Sequence, residues 1–384
     1  MKNYWVVTSN FFPLWAGPSE RFFRYSKLSE SKGLKLTFKT FDRGVNKDHE
    51  IVEGTDVFRY KTDNMKELLN IVVSEIEKGN KPNAVILLGL DRQVPSFNRL
   101  IRKHGVKSIY VSTMDFDLDY RDNGQKRDPI RRFLFVKLFK KMVDSFDMIV
   151  SSSQFLSHRY HQSLGIKSNK LHVIPNGVNA SIFKPEPKLK NVYRDELGIP
   201  ENETVFLFVG LMIERKGVLS LLKAWKDYKL SGGKGFLALV GDEKRYDSDE
   251  SFYNEYSQLK SLLESDEYNA KFFGPSSEVH KFFKVSDVFL FMSYLEGMPN
   301  VLLEAMACGM PVVLNKFKGF SDDYGQDGEH FVSVEVQQQE QITFVIQDLA
   351  NDPEKRERIG MAAMNRIQEN FLVEDSMLKY SKLI

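Results

Sequence analysis

Apolar residues along the chain fall into short runs separated by longer stretches of helical spacing. In the first half the runs are 4–8 (YWVVT), 34–38 (LKLTF), 84–88 (AVILL), 108–112 (SIYVS) and 147–151 (DMIVS), each of strand length. Helical patterns at 18–32 and 128–146 lie between them. The second half repeats the rhythm. Strands are predicted at 204–210, 236–240, 270–273, 287–291 and 311–314, and helices at 217–229, 251–264, 276–284 and 299–308. Buried strands alternating with helices predict an α/β fold, with open parallel sheets covered on both faces.

A chain of 384 residues is longer than one hydrophobic core ordinarily serves, so two domains are expected. Pro175-Asn176-Gly177 is a turn signal, and Lys184-Pro185-Glu186-Pro187 reads as a linker. These place one domain at 1–180 and a second at 181–365. The charged stretch from about 353 to 384 reads as one last helix, whose end (366–384) crosses back to the first domain. In sheets of this kind ligands bind beyond the carboxyl ends of the strands.

Composition narrows the function classes. Hydrophobic residues make up 42% and charged residues 28%, which argues against extended disorder. Lys plus Arg number 54 and Asp plus Glu 52, and a formal charge of +2 gives no footing for a nucleic-acid partner. Cys308 is the sole cysteine, so no internal disulfide forms and a reducing compartment fits. No apolar run reaches bilayer length, and the apolar start Tyr4-Trp5-Val6-Val7 gives way at once to Thr8-Ser9-Asn10. A cytoplasmic location is expected. The basic, aromatic stretch from Arg127 to Met142 has two readings. It is a packed helix with its cations in solvent, which is preferred, or a peripheral contact with an anionic membrane. The stretch Arg21-Phe22-Phe23-Arg24-Tyr25 poses the same choice. His104, His158 and His172 have no metal-ligand spacing.

The densest chemistry lies at 293–313, SYLEGMPNVLLEAMACGMPVV. Glu296-Gly297 forms a turn, Pro299 suits the first helical position, and Gly309 ends the helix before Pro311 opens a strand. Val301, Leu302, Leu303, Ala305, Met306 and Ala307 make this helix apolar nearly all round, which buries Glu304. A buried carboxylate needs partners. Either a pair of ribose hydroxyls supplies them, or a structural Lys or Arg does. The N–H groups of Asn300, Val301 and Leu302 are expected to face a ligand with the positive end of the helix dipole, and Glu296 is expected to reach a sugar.

This stretch resembles the signature of glycosyltransferase family 4, retaining enzymes among the group 1 glycosyl transferases. The resemblance covers most of the chain. Val209-Gly210-Leu211-Met212-Ile213-Glu214-Arg215-Lys216-Gly217-Val218 is similar to the family's phosphate loop. Val150-Ser151-Ser152-Ser153-Gln154-Phe155 and Ile174-Pro175-Asn176-Gly177-Val178-Asn179 resemble its approach to the linker. Phe11-Phe12-Pro13 and Ala16-Gly17-Pro18-Ser19-Glu20-Arg21 resemble its first glycine-rich loop.

The resemblance implies a GT-B fold, two facing Rossmann-like domains with a deep cleft, and a nucleotide-sugar donor. It implies Lys216 on the donor diphosphate, Glu304 on the ribose, Glu296 on the transferred sugar, and close approach of the phosphates at Gly17. It puts the base near Phe273-Gly274, and the donor also against Gly210, Gly297, Met298, Pro299, Asn300, Val301 and Leu302. It implies no cofactor and no metal, and a glycan or lipid-linked acceptor.

Two departures stand out. Leu211 occupies the place where the family usually has arginine. Arg215 is the candidate to compensate, although on a regular turn its side chain is expected to point elsewhere. Met114 lies where the family often has histidine, with Asp115 and Asp117 beside it, either contacting the substrates or turning the loop. Asp115 is taken as a catalytic candidate with Glu296 and Lys216. Two rivals stay open: a nucleotide-sugar epimerase on the same fold, and a sugar-nucleotide-binding subunit without turnover.

Overall fold

The computed structural model of the chain describes residues 1–12, 17–112, 129–243 and 250–384, the side chains of 129–132 excepted. The chain divides into two compact units, Met1–Asn176 with Val373–Ile384, and Gly177–Leu372.

The first unit runs β1 (Lys2–Thr8), α1 (Gly17–Ser29), β2 (Leu34–Phe41), β3 (His49–Val52), β4 (Thr55–Tyr60), α2 (Met65–Glu77), β5 (Ala84–Leu87) and α3 (Val94–Lys103). It continues with β6 (Lys107–Ser112), α4 (Pro129–Asp144), β7 (Met148–Ser151), α5 (Gln154–Leu164) and β8 (Leu171–Val173). Its sheet has the order β3-β4-β2-β1-β5-β6-β7-β8, parallel except for β3. Central strands are buried on both faces. Along β1, Tyr4 and Val6 join one core with Phe22 and Phe38, while Trp5 and Val7 join another with Val72 and Phe97.

The second unit runs α6 (Lys190–Leu197), β9 (Val205–Val209), α7 (Val218–Leu230), β10 (Phe236–Val240), α8 (Glu250–Leu263), β11 (Ala270–Gly274) and α9 (Val279–Val285). There follow β12 (Val288–Phe291), α10 (Asn300–Ala307), β13 (Val312–Asn315), β14 (Val332–Val334), α11 (Gln339–Asn351) and α12 (Pro353–Asn370). All of its strand pairs are parallel, in the order β11-β10-β9-β12-β13-β14. Along β9, Val205, Leu207 and Val209 face one core and Phe206 and Phe208 the other.

The structure departs from the sequence reading in several places, among them the unpredicted helices α6 and α11. The hairpin β3–β4 and the short edge strands β8 and β14 were not predicted. Glu53 and Gly54 both adopt positive φ (46° and 86°), which gives the hairpin its tight turn. The last helix is two helices, since α13 (Val373–Ser381) follows a break at Phe371-Leu372. There the backbone leaves the helical pattern to pair with Val178, whose N–H donates to the Phe371 carbonyl at 2.8 Å and which bridges Leu372. The basic stretch forms α4, which buries Phe139, Met142 and Val143 and exposes Phe133, Leu134, Lys137, Lys140 and Lys141. Arg127 and Asp128 lie outside the described residues.

Helix α13 completes the first unit. Val373, Met377 and Tyr380 pack into the core with Tyr4 and Phe22. The Tyr380 ring meets Phe22 edge-on at 5.3 Å, and Ser376 Oγ donates to the Pro175 carbonyl at 2.8 Å. Deleting a buried aromatic leaves a cavity. Tyr380→Ala is therefore expected to destabilise the first unit by about 3 kcal/mol in urea unfolding. A loss below about 1 kcal/mol would mean that α13 adds little to this core.

Candidate functional site

Strand β9 lies between β10 and β12, so the chain leaves β9 and β12 toward opposite sides of the sheet. Such a switch point opens a crevice at the carboxyl ends of two neighbouring strands. The loop after β9 carries Gly210, Leu211, Arg215 and Lys216. The loop after β12 carries Glu296, Gly297, Met298 and Pro299 and leads into α10.

Glu214–Lys216 is a single 3-10 turn ended by Gly217 at φ 67°. A Cβ at Gly217 would stand 2.1 Å from the Met292 carbonyl oxygen, so the start of α7 lies directly on the end of β12. The two loops are then joined by hydrogen bonds. Tyr294 N–H donates to the Arg215 carbonyl at 2.9 Å, and Arg215 Nη1 donates to the Leu295 carbonyl at 2.7 Å. The loop after β13 supports the other side: Lys318 N–H donates to the Tyr294 carbonyl at 2.9 Å, and Glu296 N–H to the Lys318 carbonyl at 3.3 Å.

Three charges converge. Lys216 Nζ lies 2.7 Å and Arg215 Nη1 2.8 Å from the same oxygen, Glu296 Oε1. Their side chains are 13%, 28% and 9% exposed, in that order. Burial holds Lys216 below the ordinary lysine pKa; Glu296 opposes that shift and Arg215 adds to it. Burial also raises the Tyr324 hydroxyl well above its usual value, with a smaller contribution from Glu296.

Glu304 is buried on α10. Cys308, one turn further on, has its thiol pushed up to about 12, first by burial and then by the Glu304 charge. That thiol is inert. Pro299 is the residue before the helix instead of its first residue. Its carbonyl accepts from Leu302 N–H at 3.2 Å, so Leu302 has no free donor for a ligand. The expectation of three free N–H groups is corrected on this point.

The second unit thus brings together Gly210, Arg215, Lys216, Glu296, Gly297, Met298, Pro299, Asn300, Val301, Leu302 and Glu304 on two adjoining loops and one helix. Phe273 and Gly274 end β11, and the Gly274 carbonyl accepts from Gly241 N–H at 2.9 Å. Gly17 opens α1 in the first unit. Met114, Asp115 and Asp117 lie outside the described residues. Arg215 was expected to point away. A tight 3-10 turn, with its backbone carbonyl bonded to Tyr294, instead lets its guanidinium reach Glu296. The sequence reading missed Lys318 and Tyr324. Lys318 follows β13, the neighbour of β12, so strand order is the signal that finds it.

Residues 190–366 match the family described as glycosyl transferases group 1. The second unit is a group 1 glycosyl transferase domain. Among curated relatives, the chain is 27% identical over 190 residues to the putative teichuronic acid biosynthesis glycosyltransferase TuaC of Bacillus subtilis, covering 50% of this chain and 44% of that protein. It is 31% identical over 187 residues to the lipopolysaccharide 1,2-N-acetylglucosaminetransferase of Salmonella typhimurium, covering 47% of each. These matches span about half the length of the relatives.

Solved structures match along nearly the whole chain. Sucrose-phosphate synthase from Thermosynechococcus elongatus has a TM-score of 0.77 at 18% identity, covering 100% of this chain and 98% of that one. Anabaena HepE in complex with UDP-glucose has a TM-score of 0.76 at 16% identity, covering 100% of both. The fold is therefore that of the GT-B glycosyltransferases, with two Rossmann-like α/β domains.

The glycosyl transferase domain depends on the close contact at Gly217. Gly217→Ala forces a Cβ against backbone in a conformation side chains rarely adopt. It is expected to lower the stability of this domain by about 2 kcal/mol in urea. An unchanged unfolding midpoint would show that α7 and β12 move apart without cost.

Proposed function

We propose that the chain is a glycosyltransferase of the retaining, family 4 type. It moves a sugar from a nucleotide-sugar donor to a glycan, lipid-linked or small-molecule acceptor, in polysaccharide or glycoconjugate biosynthesis. The observation that carries this reading is the convergence of Lys216 and Arg215 on Glu296 at the switch point of a group 1 domain.

The roles follow from the chemistry. Lys216 is a compact cation in a largely buried position, suited to the charge that grows on a leaving nucleoside diphosphate. Lys216 and Arg215 together supply positive charge to the phosphates, so the reaction needs no divalent metal and no cofactor. Glu304 accepts from the ribose hydroxyls, and Glu296 accepts from a hydroxyl of the transferred sugar. Transfer with retention then proceeds by attack on the face the leaving group departs from, and the protein supplies orientation and a dry site. The relatives act in teichuronic acid and lipopolysaccharide synthesis, as their names state, and this supports a polymer-building role.

A screen of nucleotide sugars by calorimetry and mass spectrometry, with chelator present, tests the reading. One donor is expected to bind, Glu304→Ala is expected to weaken it about tenfold or more, and wild type is expected to release nucleoside diphosphate slowly. Failure of every nucleotide sugar to bind would sink the proposal. Unchanged binding by Glu304→Ala would remove the ribose role. A same-mass product from the donor alone would favour the epimerase.

Work at the cytoplasmic membrane face is part of the proposal. Among the described residues no helix is long and apolar enough to cross a membrane. Helix α4 nevertheless exposes Phe133 (66%) and Leu134 (57%) beside Lys137, Lys140 and Lys141, a pattern suited to anionic lipid. The protein is expected to float with vesicles rich in phosphatidylglycerol and not with neutral ones, and Phe133→Ser with Leu134→Ser is expected to abolish flotation. Equal flotation of wild type and variant would remove α4 from the contact.

A further inference from the structure

The two cations on Glu296 are held differently. Arg215 is tied to the loop after β12 three times: through its carbonyl to Tyr294, and through Nη1 to the Leu295 carbonyl and to Glu296. Among the described residues, Lys216 Nζ has Glu296 Oε1 as its one ionic or hydrogen-bonding partner. An ammonium carries three donors, so two of them are unspent. One carboxylate also faces two cations, which leaves the cluster with net positive charge. In a position this sheltered, such a charge attracts an anion more strongly than it would in bulk water.

We propose that Glu296 is an internal anion of the phosphate pocket and sets the preference for sugar-loaded over spent nucleotide. The inference rests on the nucleotide-sugar reading given above. A diphosphate that binds the unspent donors of Lys216 competes with Glu296 for the charge of the ammonium and weakens that ion pair. Arg215 then keeps Glu296 and its loop in place, because its other two bonds do not involve the carboxylate. An intact donor compensates for the weakened ion pair, since the carboxylate then accepts from a sugar hydroxyl. A nucleoside diphosphate without its sugar offers no such hydroxyl. After transfer, Glu296 therefore competes for Lys216 and helps expel the product. This is discrimination by a rival contact inside the site.

The experiment is calorimetry with a nucleoside diphosphate and with the matching nucleotide sugar. It compares wild type, Glu296→Gln, Lys216→Met, and Lys216→Met with Glu296→Gln. Glu296→Gln is expected to bind the nucleoside diphosphate about tenfold more tightly than wild type, and to bind the nucleotide sugar no more tightly. The gain is expected to vanish in the Lys216→Met background, because the competition runs through that ammonium. Glu296→Met, of similar volume, is measured alongside, and melting curves confirm that each variant is folded.

Equal or weaker binding of nucleoside diphosphate by folded Glu296→Gln and Glu296→Met overturns the inference and leaves the nucleotide-sugar reading standing. So does a gain that persists without Lys216. If neither ligand binds any of the proteins, the nucleotide-sugar reading falls and this inference falls with it.

Discussion

The parallel pairing of β9 with β12, Val288 beside Phe206 and Phe289 beside Leu207, puts the loops at their carboxyl ends side by side. Nothing local to either loop would achieve this, because residue 216 and residue 296 are far apart in the chain. Once the strands pair, little freedom is left. Gly217 presses on Met292, Arg215 bonds to Tyr294 and Leu295, and the charges of the turn meet the charge of the loop. The crossover from β12 to β13 then carries α10, so Glu304 is placed by the same pairing. A substitution that loosens β12 against β9 reaches every one of these groups at once.

Buried charge occurs elsewhere in the chain, and comparison shows what sets Lys216 apart. Lys39 is fully buried, with Glu75 Oε2 at 2.7 Å and the rings of Phe58 and Trp5 at 3.7 and 4.4 Å. Burial lowers its pKa, and Glu75 opposes the shift. One cation meets one carboxylate there, inside a wall of aromatic rings. Arg194 has a different arrangement with the same result. Its guanidinium donates to the carbonyls of Val285, Pro200, Glu201 and Glu203 and to Asp287, so its donors are spent. Such charges fix local structure, Lys39 closed off by rings and carboxylate and Arg194 with its donors bonded within the protein. Lys216 is less enclosed, shares its counter-ion with Arg215, and retains donors.

Most of the parallel strands were legible because a strand covered on both faces reads as a continuous apolar run, as at 84–87 (AVIL) and 205–209 (VFLFV). The hairpin at 49–60 was not, because its strands alternate and carry charges and because its turn is Glu-Gly, not the stronger Asn-Gly or Asp-Gly. The break after Asn370 was illegible for another reason. Its cause is the pairing of Phe371 and Leu372 with Val178, and that partner is distant in sequence. In the candidate site, the motif named the residues on the two loops and on α10. It missed Lys318, which enters through strand order, and Tyr324, which enters through packing.

Arg215 shows where a motif stops being informative. With Leu211 after the glycine, the sequence suggested that the phosphate loop had lost a cation, since a regular turn would send Arg215 away from Lys216. The turn is not regular. Three residues of 3-10 geometry end on a glycine at positive φ, and the Arg215 carbonyl is held by Tyr294. With its backbone anchored there, the long guanidinium side chain reaches the same carboxylate oxygen as its neighbour. The second cation is therefore still present, carried by the turn instead of by the position after Gly210. It comes with a constraint that an arginine at 211 would not have had. Arg215 also holds the loop that bears Glu296, so its charge and its structural role cannot be altered separately.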